Sequence, residues 1–122
     1  MLVDAPCSGI GTLRRNPGIR LTLTERFLEG IVGTQRSVLC TYADLVRPGG
    51  RLVYSTCTLL RRENEDVVED FLRLRPEFRP VPVGGILRRQ GLDWPAGSTY
   101  LELFPHRHGT DGFFAAAFTR LR

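Results

Sequence analysis

The chain has 122 residues, of which 42% are apolar and 25% are charged, and its 17 basic and 13 acidic residues give a formal net charge of +4. This size and balance fit one compact domain and exclude collagen-like, low-complexity and coiled-coil classes. No run approaches the ~18 consecutive apolar residues of a membrane-spanning helix, and no charged-then-apolar leader precedes the first element, so we expect a cytoplasmic protein with no membrane partner.

The first half of the chain predicts a strand, a loop and a long helix. Residues 1–4 are a short apolar run that predicts the end of a buried strand, and a loop rich in Pro and Gly follows as far as Gly18. A capping box of Thr22 and Glu25 predicts the start of an amphipathic helix, which runs to the stop signal at residues 48–50.

The second half predicts another strand, a shorter helix and a β-rich end. Residues 51–56 are apolar and β-branched, which favours a strand that ends at Cys57. Acidic residues gather from Glu63 to Asp66, where the positive end of a helix dipole favours them, and this helix ends at Pro76. The last predicted strands cover residues 78–83, 100–104 and 112–119, and residues 84–99 are predicted as a loop.

A strand, a long helix and a second strand form a βαβ unit, whose crossover is right-handed and whose strands are parallel. Ligands of an open α/β sheet bind beyond the carboxyl ends of its strands. Asp4 and Cys7 follow the first strand, and Cys57 ends the second. If these strands are neighbours ~4.8 Å apart, the two thiols and the carboxylate converge at one edge of the sheet.

A thiolate is a strong nucleophile, and its pKa falls beside arginine or near a helix N-terminus. Cys57 has Arg61, Arg62 and a predicted helix start after it in the sequence. The alternative is that each cysteine fills a small buried slot, which is the role expected for Cys40. Three cysteines without metal-type spacing disfavour a disulfide framework and a zinc site.

A metal site is one interpretation of the segment that contains His106, His108 and Asp111, because these residue types can ligate metal ions. Two histidines without a certain third ligand make a poor site, so we predict a turn before the last strand and no bound metal. The 17 basic residues are all arginines, which suits phosphate binding, although a codon bias explains the same composition.

Four segments together resemble the RNA cytosine-C5 methyltransferases of the Sun/RsmB family. They are residues 4–17 (DAPCSGIGTLRRNP), 47–59 (RPGGRLVYSTCTL), 63–68 (ENEDVV) and 105–114 (PHRHGTDGFF). The resemblance runs over nearly the whole chain and is least distinctive in residues 84–99. Two separately spaced cysteine motifs fall at the same strand ends, in the same order, as in the family.

The resemblance implies an α/β, partial Rossmann-like methyltransferase fold, in which residues 1–122 form the carboxyl-terminal half of a class I methyltransferase domain. The fourth and fifth strands of that fold are parallel and joined by a crossover helix, and a helix and the terminal strands follow. The amino-terminal half, which holds most of the cofactor pocket, is expected to be absent. The isolated chain is therefore expected to be inactive and to need a separate amino-terminal half, or to self-associate through its exposed first strand.

The resemblance also implies a reaction, which is S-adenosylmethionine-dependent methylation of carbon 5 of a cytosine in RNA, most often ribosomal RNA, through a covalent cysteine adduct. The family's catalytic cysteine follows a threonine and matches Cys57, and its Pro-Cys thiol, which helps to release the product, matches Cys7. Asp4 is expected to hydrogen-bond the cytosine edge and, with Pro6, to border the cofactor.

Four residues are predicted to contact RNA, namely Arg14, Arg15, Ser8 and Thr56. For the two arginines, which directly follow the first cysteine motif, the alternative is a solvated loop. A target base must be unstacked to enter such a site, which is easier in single-stranded or looped RNA. The competing hypothesis is a non-catalytic remnant that acts as an RNA-binding or interaction module.

Overall fold

The structure is a computed structural model that describes residues 1–122. Its helices and strands are, in chain order, β1 (Leu2–Asp4), α1 (Ile19–Thr22), α2 (Glu25–Ala43), β2 (Arg51–Thr56), α3 (Glu65–Leu74), β3 (Phe78–Val81), α4 (Val83–Arg89), β4 (Leu101–Leu103), α5 (Pro105–His108) and β5 (Phe113–Arg120). Two single 3-10 turns, Ile10–Thr12 and Arg61–Glu63, follow the two cysteine segments.

The five strands form one sheet in the order β1-β2-β5-β3, and β4 also pairs with β5. β1 and β2 are parallel and adjacent, with Asp4 opposite Ser55, and α2 lies in the connection between them. β5 runs antiparallel to β2, β3 and β4. This arrangement confirms the predicted α/β class and the predicted parallel pair with its crossover helix.

The hydrophobic core fills the space between the sheet and helices α2 and α3. The apolar face of α3 is fully buried at Val67 and Val68, and the ring of Phe71 packs 5.0 Å from the ring of Phe118 on β5. Leu39 contributes the α2 side of the same cluster. Such burial of apolar surface fixes the position of β2 and, with it, the loop that leaves its carboxyl end.

The long helix begins at Glu25 and not at Thr22. Thr24 is its N-cap, because the Thr24 hydroxyl oxygen accepts a hydrogen bond of 3.1 Å from the backbone N–H of Phe27. Thr22 ends the short helix α1, and its hydroxyl donates to the carbonyl of Ile19. The predicted capping box of Thr22 and Glu25 is therefore wrong.

Helix α4 lies in a segment that was predicted to be partly strand and partly loop, and β3 ends at Val81 instead of residue 83. Gly84, near the start of this helix, packs directly against the backbone of the following loop. A Cβ atom on Gly84 would lie 2.1 Å from the carbonyl oxygen of Pro95, and the Gly84 N–H donates to the carbonyl of Ser98 at 3.0 Å.

β1 is an edge strand that pairs only with β2. Its Leu2 side chain is 65% exposed and Met1 is 48% exposed, while Val3 is buried in the core. The predicted exposure of apolar side chains along the first strand is therefore confirmed. None of the helices has the length and apolar character needed for a bilayer crossing.

Candidate active site

The thiols of Cys7 and Cys57 lie against each other at the carboxyl ends of β1 and β2, with their Sγ atoms 3.2 Å apart. The parallel register brings the two loops out side by side, because the backbone N–H of Ala5 still donates to the carbonyl of Ser55 at 2.9 Å. Both cysteines are free thiols and only half-buried. The predicted convergence of the two sulfur atoms is confirmed.

The protein holds the proton of the Cys7 thiol tightly. Burial raises the pKa of the Cys7 thiol to about 12, and its hydrogen bond with Cys57 acts in the same direction, while backbone N–H groups of Cys57 and Gly9 oppose the change. At neutral pH Cys7 is therefore a protonated thiol that can donate to the Cys57 sulfur.

The arginines that follow Cys57 are paired with carboxylates. Arg61 contacts Glu69 at 2.7 Å and Asp66 at 3.0 Å, and Arg62 contacts Glu25 on α2 at 2.6 Å. Each guanidinium group is therefore balanced by its own acidic partner and is not an unpaired cation available to Cys57.

Asp4 stands at the carboxyl end of β1, where its Oδ1 accepts a hydrogen bond of 3.0 Å from the hydroxyl of Ser55. Its exposed carboxylate lines a cleft of about 320 Å³ beside the edge strand. The other lining residues are Leu2, Val3, Pro6, Val38 and Tyr42. The structure thus brings Asp4 and Pro6 together at one cleft, on the segment that leads to Cys7.

Ser8 and Thr56 are buried, with 8% and 0% of their surface exposed. The Ser8 hydroxyl donates to Glu63 at 2.7 Å, and the Thr56 hydroxyl donates to Asn64 at 2.6 Å. A contact of either hydroxyl with RNA would first have to break a buried hydrogen bond. These positions argue against the predicted RNA contacts of Ser8 and Thr56.

Sequence reasoning missed the residue that joins the two cysteine loops. Glu63 was assigned to the start of a helix, yet it is fully buried in the 3-10 turn before α3. Its carboxylate accepts hydrogen bonds from Ser8 and Thr58, which are the residues directly after Cys7 and Cys57. The available signal was a hydroxyl residue after each cysteine, together with an acidic residue six positions beyond Cys57.

The loop before β5 is joined to the cysteine loops through two glycines. The Gly11 N–H donates to the carbonyl of Cys57 at 3.0 Å, and the Gly112 N–H donates to the carbonyl of Gly11 at 2.8 Å. A Cβ atom on Gly11 would lie 2.3 Å from the Gly112 carbonyl oxygen, so only glycine fits this approach. The Gly11 N–H is therefore occupied by its hydrogen bond to the Cys57 carbonyl and is not free to bind an anion.

Arg14 and Arg15 lie on the surface, one turn after the Cys7 segment, with side chains 57% and 65% exposed. Both guanidinium groups face the carboxylate of Asp111, Arg14 at 3.7 Å and Arg15 in closer contact. One carboxylate balances only one of the two cations, which leaves a positive charge on this loop.

Both histidines of the last motif lie against aromatic rings, His106 beside Phe104 and His108 beside Trp94. Nδ1 of His108 accepts a hydrogen bond of 2.9 Å from the backbone N–H of Phe104, and its ring stacks on Trp94 with centroids 5.4 Å apart. Asp111 is engaged with the two arginines. No group of three or more His, Cys, Asp and Glu side chains is arranged to hold a metal ion.

These observations agree with a comparison against known families, in which the model described as 16S rRNA methyltransferase RsmB/F matches residues 1–119. The chain belongs to the RsmB/F methyltransferase family. This RsmB/F family member is 43% identical over 115 residues to the "Probable ribosomal RNA small subunit methyltransferase B" of Synechocystis, covering 94% of this chain and 26% of that protein.

More distant relatives carry the same segment. The mouse "28S rRNA (cytosine-C(5))-methyltransferase" is 34% identical over 131 residues, which cover 98% of this RsmB/F chain and 16% of the mouse protein. The crystal structure of NSun6 from Pyrococcus horikoshii with SFG superposes with a TM-score of 0.75 at 30% identity, covering 99% of this chain and 29% of that one. The chain spans about a quarter of the length of the first of these curated relatives.

Proposed function

We propose that this chain supplies the catalytic cysteines for methylation of carbon 5 of a cytosine in RNA, with ribosomal RNA as the first substrate to test. The observation that carries the proposal is the pair of Sγ atoms, 3.2 Å apart, at the carboxyl ends of β1 and β2. Membership of the RsmB/F family and the name of the mouse relative support the same reaction.

Cys57 is the nucleophile in this proposal. Carbon 5 of cytosine is a weak nucleophile, so the Cys57 thiolate adds to carbon 6 and the electron pair of the C5–C6 double bond moves onto carbon 5. The half-buried Cys57 sulfur can reach a base from the open edge of the sheet, and the Cys7 thiol beside it donates a hydrogen bond that stabilises the attacking thiolate.

Asp4 and Pro6 are the residues of this chain that would hold S-adenosylmethionine. The lining of the adjoining cleft of about 320 Å³ suits a molecule with both apolar and polar groups, because its walls include the apolar side chains of Val38 and Tyr42 and the carboxylate of Asp4. When bound, S-adenosylmethionine supplies a methyl group activated by a positively charged sulfur. In this proposal Asp4 also orients the cytosine through its N3 and amino edge.

Cys7 assists the release of the product. When carbon 5 loses its proton to water, the electron pair reforms the C5–C6 double bond and the bond between the Cys57 sulfur and carbon 6 breaks. The sulfur leaves as a thiolate, and the protonated Cys7 thiol 3.2 Å away stabilises it by donating a hydrogen bond. The raised pKa of Cys7 favours this donor role over that of a base.

Arg14 and Arg15 provide the RNA contact of the proposal. Their exposed guanidinium groups follow the Cys7 segment, and a backbone phosphate can compete with Asp111 for them. Residues 1–122 are proposed to act as the carboxyl-terminal half of a methyltransferase domain, together with an amino-terminal half. The matched segment is only 26% of the Synechocystis relative, which leaves room for such a half in a longer chain.

The test is a chimera in which residues 1–119 replace the matching segment of the Synechocystis relative. We expect this chimera to transfer labelled methyl groups from S-adenosylmethionine to unmethylated small-subunit ribosomal RNA. Cys57→Ala should reduce transfer to background, whereas Cys7→Ala should slow turnover and accumulate a protein–RNA adduct. Cys40→Ala is the matched control, because Cys40 lies on α2 and packs against the core.

Three outcomes would count against the proposal. Methylation that survives Cys57→Ala would exclude Cys57 as the nucleophile, and a Cys7→Ala variant without adduct would exclude the release role. If the chimera with all its cysteines intact binds RNA but does not methylate it, the result would instead support a non-catalytic RNA-binding module.

A further inference from the structure

We propose that Glu63 is a positioning residue that sets the distance between the Cys7 and Cys57 thiols by holding both cysteine loops on one buried carboxylate. The catalytic meaning of this inference rests on the proposed function. The geometric claim concerns the thiol pair alone and can be tested without methylation.

A single oxygen atom of Glu63 joins the two loops. Its Oε2 accepts hydrogen bonds from the Ser8 hydroxyl at 2.7 Å and from the Thr58 hydroxyl at 2.6 Å. Ser8 directly follows Cys7, and Thr58 directly follows Cys57. The carboxylate therefore holds each of the two cysteine loops at the residue directly after its cysteine, on the side where the loops leave the sheet.

The other carboxylate oxygen and the Glu63 backbone anchor this link to the core. Oε1 accepts from the Ser8 N–H at 2.7 Å and from Nε2 of Gln35 at 3.1 Å, and the same Gln35 nitrogen donates to the carbonyl of Pro6 at 2.9 Å. The Tyr54 hydroxyl donates to the Glu63 carbonyl at 2.6 Å. Helix α2 and strand β2 thus hold Glu63 from two sides.

The chemistry of the network indicates a role beyond filling space. A fully buried carboxylate is costly unless every oxygen is satisfied, and replacing buried polar groups with well-packed apolar ones is often neutral or stabilising. Glu63 has no exposed surface and accepts four hydrogen bonds, all charge-assisted. Such an arrangement restricts two loops to one relative position, which an apolar contact does not do.

The consequence of this restriction is the 3.2 Å separation of the sulfur atoms. A reaction in which the Cys57 sulfur attacks and the Cys7 thiol donates a hydrogen bond to that sulfur depends on their separation being held within a few tenths of an ångström. Loosening Glu63 should therefore lower the turnover number more than it raises the Michaelis constant for RNA or S-adenosylmethionine, because this carboxylate has no exposed surface with which to contact either molecule.

The test measures the juxtaposition of the thiols directly, in the 122-residue chain with Cys40→Ser to leave one thiol pair. In a glutathione buffer, one oxidised glutathione accepts two electrons and two protons, and Cys7 and Cys57 become a disulfide while two reduced glutathiones form. The equilibrium constant of this exchange reports how closely the thiols are held. We expect Glu63→Gln to lower it about tenfold, because hydrogen bonds to a charged group are lost.

Two variants at position 58 separate hydrogen bonding from packing. Thr58→Val keeps the shape and removes the hydroxyl, whereas Thr58→Ser keeps the hydroxyl and removes a methyl group. The proposal predicts that Thr58→Val lowers the equilibrium constant and that Thr58→Ser leaves it within about twofold of the parent. Val68→Ala, on the buried face of α3, is the control for general destabilisation and should leave the constant unchanged under folding conditions.

An unchanged constant in Glu63→Gln and Thr58→Val would overturn the proposal, and so would an equal fall in Val68→Ala. If Glu63→Gln does not fold, the pair of variants at Thr58 decides the question alone. In the chimera, Glu63→Gln should reduce kcat with little change in KM. Failure of the chimera to methylate RNA, with the redox effect intact, would reject the proposed function and leave the positioning role standing.

Discussion

At the scale of single residues, Cys7 links structure to pH dependence. Burial raises its pKa from an ordinary value of 9.0 to about 12, so the folded state holds this proton more tightly than the unfolded chain does. The stabilisation is complete below pH 9 and is lost as the pH rises toward 12. We predict that wild-type protein loses free energy of unfolding more steeply than Cys7→Ser above pH 9, as measured by urea unfolding.

The control for this prediction is Cys40→Ser, because burial also raises the pKa of that thiol, but without a sulfur partner. It should change the alkaline slope less than Cys7→Ser does. Parallel unfolding curves for wild type and Cys7→Ser across the alkaline range would show that the Cys7 proton is not held as described.

The sequence predicted some of the residues in the candidate site and missed others for a physical reason. Cys7, Cys57 and Asp4 were predictable together, because adjacent parallel strands deliver their carboxyl ends to one edge. The burial of Ser8 and the role of Glu63 were not, because they depend on a 3-10 turn that folds the chain back under the first loop. No periodic pattern in the sequence marks such a turn.

At the scale of secondary-structure elements, α4 shows how tertiary contacts override local signals. Residues 84–99 were predicted as a loop, whereas helix α4 covers Val83–Arg89. Gly84 lets the backbone of this helix pack closely against Pro95 and Ala96, a tertiary contact that local sequence patterns do not reveal. The βαβ unit, by contrast, has long and regular patterns, and its two strands were predicted within one residue. Its crossover helix was predicted to run from the Thr22 cap to the stop signal at residues 48–50, whereas it spans Glu25–Ala43.

This contact makes opposite predictions for the two neighbouring glycines of α4. Gly84→Ala should destabilise the protein by about 1–3 kcal/mol, because the new methyl group overlaps the Pro95 carbonyl. Gly85→Ala has open space, with the nearest atom at 3.8 Å, and should stabilise the helix by up to about 1 kcal/mol. Thermal unfolding of both variants checks the pair. Equal effects of the two substitutions would contradict the packing described for α4.

At the scale of the whole molecule, β1 is an edge strand with exposed apolar side chains. Leu2 is 65% exposed beside the apolar cleft that Tyr42 also lines, and the outer backbone groups of β1 have no strand partner. Exposed apolar edges of this kind favour association. The placement of β5 between β2 and β3 was not derivable from sequence patterns, whereas the exposure of the first strand was.

We predict that the chain alone self-associates with rising concentration and that Leu2→Lys reduces this association, because a charged edge opposes strand pairing. Sedimentation velocity measures the effect. Leu92→Lys is the matched control, since Leu92 is 54% exposed in the loop after α4 and should leave the association unchanged. A wild-type chain that stays monomeric at every concentration would contradict the prediction.

The most direct test of the account is to identify the sulfur atom that bonds to the base. The Cys7→Ala chimera would be incubated with S-adenosylmethionine and ribosomal RNA, digested with protease and nuclease, and analysed by mass spectrometry. The account predicts a methylated cytidine nucleotide attached to the peptide that carries Cys57. A nucleotide attached to any other residue, or methylated RNA formed without any attached peptide, would contradict it.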